Sequence, residues 1–167
     1  MTGDGALVPD PSAVLASAVN ASALAGDRDE AAGVGVDVVC VSKMSRLVSE
    51  GGPAFLQRCW TSHELAEAGD DPERLATRWA AKEAVMKCLG VGISDLDPRD
   101  VEIVSQNSGA PSVVLRGSAA GRAQSLGISE FHVSATHESG WAAAIAVASA
   151  STEHQDSKVA IQREDGS

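Results

Sequence analysis

The stretch RWAAKEAVMKCLGVG, residues 78–92, predicts the central helix of the fold and carries two charged groups beside its apolar face. The helix is expected to begin at Asp71, which precedes a proline and suits the capping position, and to end at Gly90. Large apolar side chains recur at helical spacing, at Leu75, Trp79, Val85, Met86 and Leu89. Glu83 and Lys87, one turn apart, lie beside that stripe. Such a pair is commonly a solvated surface contact, and in an active site it can instead hold a metal ion and a phosphate.

A carboxylate also interrupts the most apolar strand. GVGVDVVCV, residues 33–41, is rich in β-branched residues and predicts a buried strand. Asp37 lies at its centre, where an ionised carboxylate is costly unless a cation or several hydrogen-bond donors compensate its charge. The strand alone leaves two interpretations open, a structural salt bridge and a metal ligand. Together with Glu83, Asp37 would offer the oxygen ligands that Mg²⁺ prefers.

Short strands and helices are predicted around these two segments. Strands are expected at 101–104, 112–116, 131–135 and 141–148, and a helix at 118–126. Shorter helices are expected at 42–49 and from the capping box at 61–64. This order predicts an α+β domain, in which a mainly antiparallel sheet packs against the long helix and shorter helices. We expect the domain at 33–149, a flexible N-terminal extension at 1–32 and a disordered tail at 150–167.

Composition narrows the class of protein. The chain has 167 residues, of which 44% are hydrophobic and 22% charged, as in a single soluble domain. Its formal net charge of −10 argues against a broad nucleic-acid-binding surface. Its three cysteines form no CxxC pair, so neither a disulfide framework nor a zinc site is predicted. No apolar run reaches membrane-spanning length and no signal sequence is visible, so we expect a cytoplasmic protein without membrane contact.

Two connections between predicted strands contain polar or turn-forming residues. His137 and Glu138 lie in SATHESG, residues 134–140, which predicts a loop where polar side chains can face a ligand. An exposed turn histidine without a function is the alternative. The second connection, NSGAP at residues 107–111, predicts a turn between two strands.

In this order, these segments resemble the small, AcpS-type holo-acyl-carrier-protein synthases, which are 4'-phosphopantetheinyl transferases. The resemblance covers residues 33–148 and rests on GVGVDVV at 33–39, FLQRCWTSHEL at 55–65, RWAAKEAVMKCLGVG at 78–92, GAP at 109–111 and HVSATHESGWAAA at 132–144. The RWAAKEAVMKCLGVG motif is highly specific, whereas GAP alone would mean little. The resemblance implies the phosphopantetheinyl transferase fold. It also implies transfer of 4'-phosphopantetheine from coenzyme A to a serine hydroxyl of an apo acyl carrier protein, which releases adenosine 3',5'-bisphosphate.

The resemblance gives the two carboxylates and the neighbouring lysine their expected roles. Asp37 and Glu83 would hold Mg²⁺, as the strand aspartate and the KEA glutamate of the family do. Lys87 would contact the phosphates of coenzyme A. Glu83 is also the candidate for removing the serine proton, either directly or through a water molecule.

The resemblance further implies a coenzyme A site. Arg78 and His137 would bind or orient the nucleotide, and His137 would face the site of a neighbouring subunit. Gly109 and Pro111, in the GAP turn, are expected beside the same ligand. Only one strand aspartate and one KEA motif are present, as in family members that assemble as homotrimers rather than in the double-length monomeric form.

Carrier proteins of this kind are acidic, whereas the net charge of this chain is −10. A local basic patch would resolve the conflict. Lys43 and Arg46, on the helix predicted after Asp37, are expected to form such a docking patch together with Arg58. The carrier would be of fatty-acid or polyketide type. An ordinary solvated helix face is the alternative.

Two other functions remain open from the sequence. One is a non-catalytic paralogue that binds coenzyme A or a carrier protein without transferring anything, and the intact Asp37, Glu83 and Lys87 argue against it. The other is a different Mg²⁺-dependent phosphoryl enzyme, which neither a P-loop GxxxxGK[ST] nor a dinucleotide GxGxxG motif supports.

Overall fold

The computed structural model describes residues 31–150, which form five strands and four α-helices. The strands are β1 Ala31–Cys40, β2 Val101–Ser105, β3 Pro111–Leu115, β4 Ile128–Glu138 and β5 Trp141–Ala150. The helices are α1 Val41–Cys59, α2 Ser62–Ala68, α3 Pro72–Cys88 and α4 Gly117–Ser125. A short 3-10 helix, Pro98–Asp100, precedes β2.

The strands form two antiparallel sheets. The first has the order β1-β5-β4, and the second pairs β2 with β3. In the first sheet, Asp37 lies opposite Ala144 of the central strand. The predicted α+β class with antiparallel strands is confirmed, and the helices pack against the sheets as expected.

Helix α3 lies directly on β1 because the strand has no side chain where the two backbones meet. A Cβ atom at Gly35 would lie 1.9 Å from the carbonyl oxygen of Ala84, and one at Gly33 would lie 2.8 Å from that of Cys88. Both distances are too short for any residue other than glycine. The glycines of the GVGVD stretch therefore set the separation between the strand of Asp37 and the helix of Glu83.

The core lies between α3 and the first sheet and continues to β2 and α4. Small residues line the α3-facing side of β5, where Ala142, Ala144, Ala146 and Ala148 are all buried. From the helix, Val85, Met86 and Leu89 are completely or almost completely buried, as the apolar stripe predicts. A second cluster, between α1 and α3, is built around Trp60, whose ring lies 5.5 Å from that of Trp79.

Two local predictions are wrong. The short helix predicted at 42–49 continues to Cys59, with a break at Gly52, whose φ is 57°. His137 and Glu138 lie on β4 and not in a loop. The strand extends that far because Ser139 and Gly140 both take positive φ values, 49° and 81°, and so close a two-residue hairpin turn.

The predicted extension at 1–32 and the predicted tail at 150–167 lie outside the described residues, apart from Ala31, Ala32 and Ala150 at the ends of strands. Their predicted flexibility stays a prediction. Among the helices of residues 31–150, none combines the length and the apolar character that crossing a lipid bilayer requires.

Candidate active site

Asp37, Glu83 and Lys87, which the sequence placed on two separate elements, lie together where α3 crosses β1. The Nζ atom of Lys87 donates to Oδ1 of Asp37 at 3.0 Å and to the backbone carbonyl of Val36 at 2.7 Å. Asp37 is largely buried, whereas about half of the Lys87 side chain is exposed. The site thus has a fixed carboxylate and a cation that can be reached from solvent.

The two carboxylates are close enough to affect one another. Burial raises the pKa of Glu83 to about 7, and the charge of Asp37 adds to this effect, whereas Lys87 and a hydrogen bond from Trp79 oppose it. Near neutral pH, two ionised carboxylates at this place repel each other unless a cation lies between them. A cation bound between the two carboxylates would therefore stabilise their ionised forms.

The donor set fits Mg²⁺. Oδ2 of Asp37 is buried and has no hydrogen-bond partner among the described residues, so one ligand atom is unused by the protein. Within residues 31–150, no group of three or more His, Cys, Asp or Glu side chains is arranged to hold a metal ion. Mg²⁺ is the ion most often held by only one or two carboxylates, together with water and substrate phosphates. Asp37 and Glu83 are the residues that would hold it.

The four residues expected to contact coenzyme A also lie together. Arg78, His137, Gly109 and Pro111 line one cavity of about 550 Å³ between α3, the β2–β3 connection and the end of β4. His137 is placed there by Thr77, whose hydroxyl lies 3.2 Å from its Nδ1 atom. Residues of α3, the helix that also carries Glu83 and Lys87, line part of this cavity.

The three residues expected to dock a carrier protein are all exposed on α1. Lys43 and Arg46 lie on its first half, where Arg46 makes only a weak contact with Glu50, at 3.9 Å. Arg58 lies in its last turn, beyond the break at Gly52. The docking role of these three residues stays a prediction.

The sequence interpretation missed a buried ion pair next to the site. Lys82 and Glu64 have no exposed side-chain surface, and Nζ of Lys82 lies 2.8 Å from Oε2 of Glu64. A signal was present, because Lys82 falls in the same helical stripe as Leu75, Met86 and Leu89, where a lysine needs a buried partner. The capping box at Thr61 identified Glu64, but only as part of a helix start.

Comparison with known proteins identifies the family of this chain. The sequence profile of the 4'-phosphopantetheinyl transferase superfamily matches residues 33–146. The holo-[acyl-carrier-protein] synthase of Frankia alni is 45% identical over 116 residues, which are 70% of this chain and 95% of that protein. The synthase of Herpetosiphon aurantiacus is 37% identical over 120 residues, 68% of this chain and 94% of the relative.

A solved structure gives the same result. The crystal structure of Helicobacter pylori holo-[acyl-carrier-protein] synthase in complex with coenzyme A superposes with a TM-score of 0.63 at 28% identity, covering 69% of this chain and 98% of the other. The profile match includes Asp37, Glu83 and Lys87 and nearly the whole described fold. The chain therefore belongs to the 4'-phosphopantetheinyl transferase superfamily.

Proposed function

We propose that this chain is a holo-[acyl-carrier-protein] synthase. It transfers 4'-phosphopantetheine from coenzyme A to a serine hydroxyl of an apo acyl carrier protein and releases adenosine 3',5'-bisphosphate. The observation that carries the proposal is the meeting of Asp37, Glu83 and Lys87 at one point in a chain of this superfamily. A non-catalytic paralogue would not need this combination of charges.

In this proposal, Asp37 and Glu83 hold Mg²⁺. The bound ion would stabilise the negative charge that develops on the pyrophosphate oxygens during transfer. Lys87 adds a second positive charge, and its exposed half is free to reach a phosphate. Glu83 accepts the proton of the attacking serine hydroxyl, either directly or through a water molecule.

The cavity of about 550 Å³ is the proposed site for the nucleotide part of coenzyme A. Arg78 and His137 supply polar contacts, and the exposed Gly109 allows a close backbone approach beside Pro111. The cavity size supports this assignment because ligand pockets of this volume hold molecules of nucleotide size.

We propose that the chain forms a homotrimer through the outer face of the first sheet. That face carries the half-buried side chains of Val36, Val38, Ile145 and Val147, and Val34 is 43% exposed. An apolar sheet face of this kind is a typical subunit interface. Light scattering after gel filtration tests the proposal, and a monomer at micromolar concentration would refute it.

The transfer proposal is tested by incubating the purified protein with coenzyme A, Mg²⁺ and an apo carrier protein, and then measuring the mass of the carrier. We expect a phosphopantetheine adduct with at least one carrier of the fatty-acid or polyketide type. Asp37→Ala and Glu83→Ala should each lose at least about 100-fold in kcat, because each removes a ligand of the proposed ion. Binding of coenzyme A without an adduct on any carrier would favour the non-catalytic alternative.

The docking patch is tested separately. Reversing both charges, with Lys43→Glu and Arg46→Glu, should raise KM for the carrier at least about tenfold and leave KM for coenzyme A within about twofold, because contacts between exposed charges act on the partner that meets them. Equal changes in both KM values would contradict the assignment.

A cytoplasmic location also stays a prediction, which fractionation of expressing cells would test.

A further inference from the structure

Two parallel sets of contacts join α3, α2 and β2, each running from a cation through a carboxylate to a backbone amide. In the inner set, Lys82 binds Glu64 at 2.8 Å, and Glu64 accepts the amide of Ile103 at 3.0 Å. The outer set uses Arg78, four residues before Lys82 on α3, and Ser105, two residues after Ile103 on β2. The spacing keeps both sets on the same sides of their helices and strand.

In the outer set, Arg78 binds Glu67, and Glu67 binds Ser105. Arg78 donates to Oε2 of Glu67 at 2.9 Å, and the same oxygen accepts both the amide and the hydroxyl of Ser105, each at 3.3 Å. Arg78 also reaches the Ser105 hydroxyl, at 3.3 Å. One carboxylate oxygen thus fastens a side chain of α3 and the end of β2 at the same time.

The two sets differ in what they face. Lys82 and Glu64 are sealed from solvent and do not line the proposed coenzyme A cavity. Glu67, Arg78 and Ser105 all line it. The inner set therefore stabilises the fold, whereas the outer set forms a wall of the ligand cavity.

Besides Glu67, the Arg78 guanidinium has one hydrogen-bond partner among the described residues, the Ser105 hydroxyl. Its Nε atom is buried and has no hydrogen-bond partner in the described part of the chain. Burial opposes ionisation of Glu67, but the hydrogen bonds from Arg78 and Ser105 outweigh it, and the pKa of Glu67 lies below its usual value. Glu67 is therefore an ionised anchor at neutral pH. Without it, the Ser105 hydroxyl would be the one hydrogen-bond partner left to the guanidinium within residues 31–150.

We propose that Glu67 is a positioning residue for the transfer reaction. It holds Arg78 and the end of β2 in the geometry that receives the nucleotide part of coenzyme A, so that the ligand meets a preformed wall. This inference rests on the proposed function, because it assumes that the cavity binds coenzyme A. Glu67 itself makes no contact with the reacting atoms.

The test is steady-state kinetics of Glu67→Ala with coenzyme A varied and Mg²⁺ and carrier protein saturating. We expect KM for coenzyme A to rise about tenfold, the size of one lost charge-assisted contact, with kcat and KM for the carrier within about twofold of the wild type. Glu67→Gln, which keeps an acceptor oxygen of the same reach, should recover most of the loss. The matched control is Glu130→Gln, which removes an exposed carboxylate on a different element, β4. It should leave all three constants unchanged.

An unchanged or lowered KM for coenzyme A in Glu67→Ala would overturn the inference. A fall in kcat with KM unchanged would also overturn it, because a smaller fraction of folded protein produces that pattern. If the alanine variant does not fold, Glu67→Gln is the decisive variant. Faster hydrogen exchange of the Ser105 amide in Glu67→Gln would show that the anchor is lost. A KM for coenzyme A equal to that of the wild type in the same variant would then overturn the inference. Wild-type protein that transfers nothing refutes the proposed function instead. In that case hydrogen exchange still tests the anchor, because the Ser105 amide should lose protection in Glu67→Ala.

Discussion

Replacing Lys82 by methionine should cost a large part of the stability of this domain. Nζ of Lys82 donates to Glu64 at 2.8 Å, to the carbonyl of Pro98 at 2.9 Å and to that of Val101 at 2.5 Å. Methionine fills a similar volume but leaves a carboxylate with no exposed surface and no counter-charge. Breaking a buried ion pair from one side typically costs about 3–5 kcal/mol, which corresponds to a fall in Tm of about 12–20 °C for a domain of this size.

Urea unfolding followed by tryptophan fluorescence measures this loss directly, because Trp60 and Trp79 lie in the adjoining cluster. Lys82→Met with Glu64→Gln should be more stable than Lys82→Met alone by about 1–2 kcal/mol, since the unpaired charge is gone. Lys43→Met, the same change at an exposed position, should alter stability by less than about 0.5 kcal/mol. A loss below about 1 kcal/mol for Lys82→Met would refute the reasoning, and so would a double variant whose loss equals the sum of the single losses.

Three further predictions concern other parts of the domain. In metal-free protein, the unfolding free energy should fall by about 1 kcal/mol between pH 5 and pH 8, because Glu83, whose pKa is raised to about 7, contributes stability only while protonated and is partly screened by solvent. Glu83→Gln should remove this fall, and an identical pH profile in both proteins would contradict the assignment. Gly35→Ala should destabilise by at least about 3 kcal/mol in urea unfolding, since its Cβ would lie 1.9 Å from a carbonyl of α3, whereas Gly121→Ala, with no atom within 4 Å, should be neutral or stabilising. Iodoacetamide at pH 8 should label Cys40 well before Cys88, because Cys88 is buried and burial raises its pKa to about 11; equal rates, measured by mass spectrometry, would refute this difference.

The elements set by local pattern could be predicted from the sequence. The central helix was expected from Asp71 to Gly90 and is observed as Pro72–Cys88, with Asp71 capping it. The strand of Asp37 is predicted as well. A β-branched run indicates the strand and an apolar stripe indicates the helix, and each pattern can be recognised within a short stretch of sequence. Whether Asp37 had a salt bridge or a metal site was not decided by the strand, and the observed site has a lysine partner and an unused carboxylate oxygen.

The contacts that depend on distant residues could not be predicted. Glu67 and Ser105 are 38 positions apart and meet only after β2 packs beside α2. His137 was assigned to a loop because its neighbours are polar, and its place on a strand depends on the conformation of the Ser139–Gly140 turn. The helical stripe indicates that Lys82 is buried, but only long-range packing decides that Glu64 is its partner.

The contact between Gly35 and Ala84 has a consequence for how the site tolerates change. Asp37 follows Gly35 by two residues and Glu83 precedes Ala84 by one, so the two carboxylates are joined through a contact between main chains. Because Gly35 has no side chain, the separation of the two main chains at this contact does not depend on side-chain size at that position. We therefore expect substitutions elsewhere in the core to lower the melting temperature while leaving the spacing of the two carboxylates, and the affinity for the proposed Mg²⁺, unchanged.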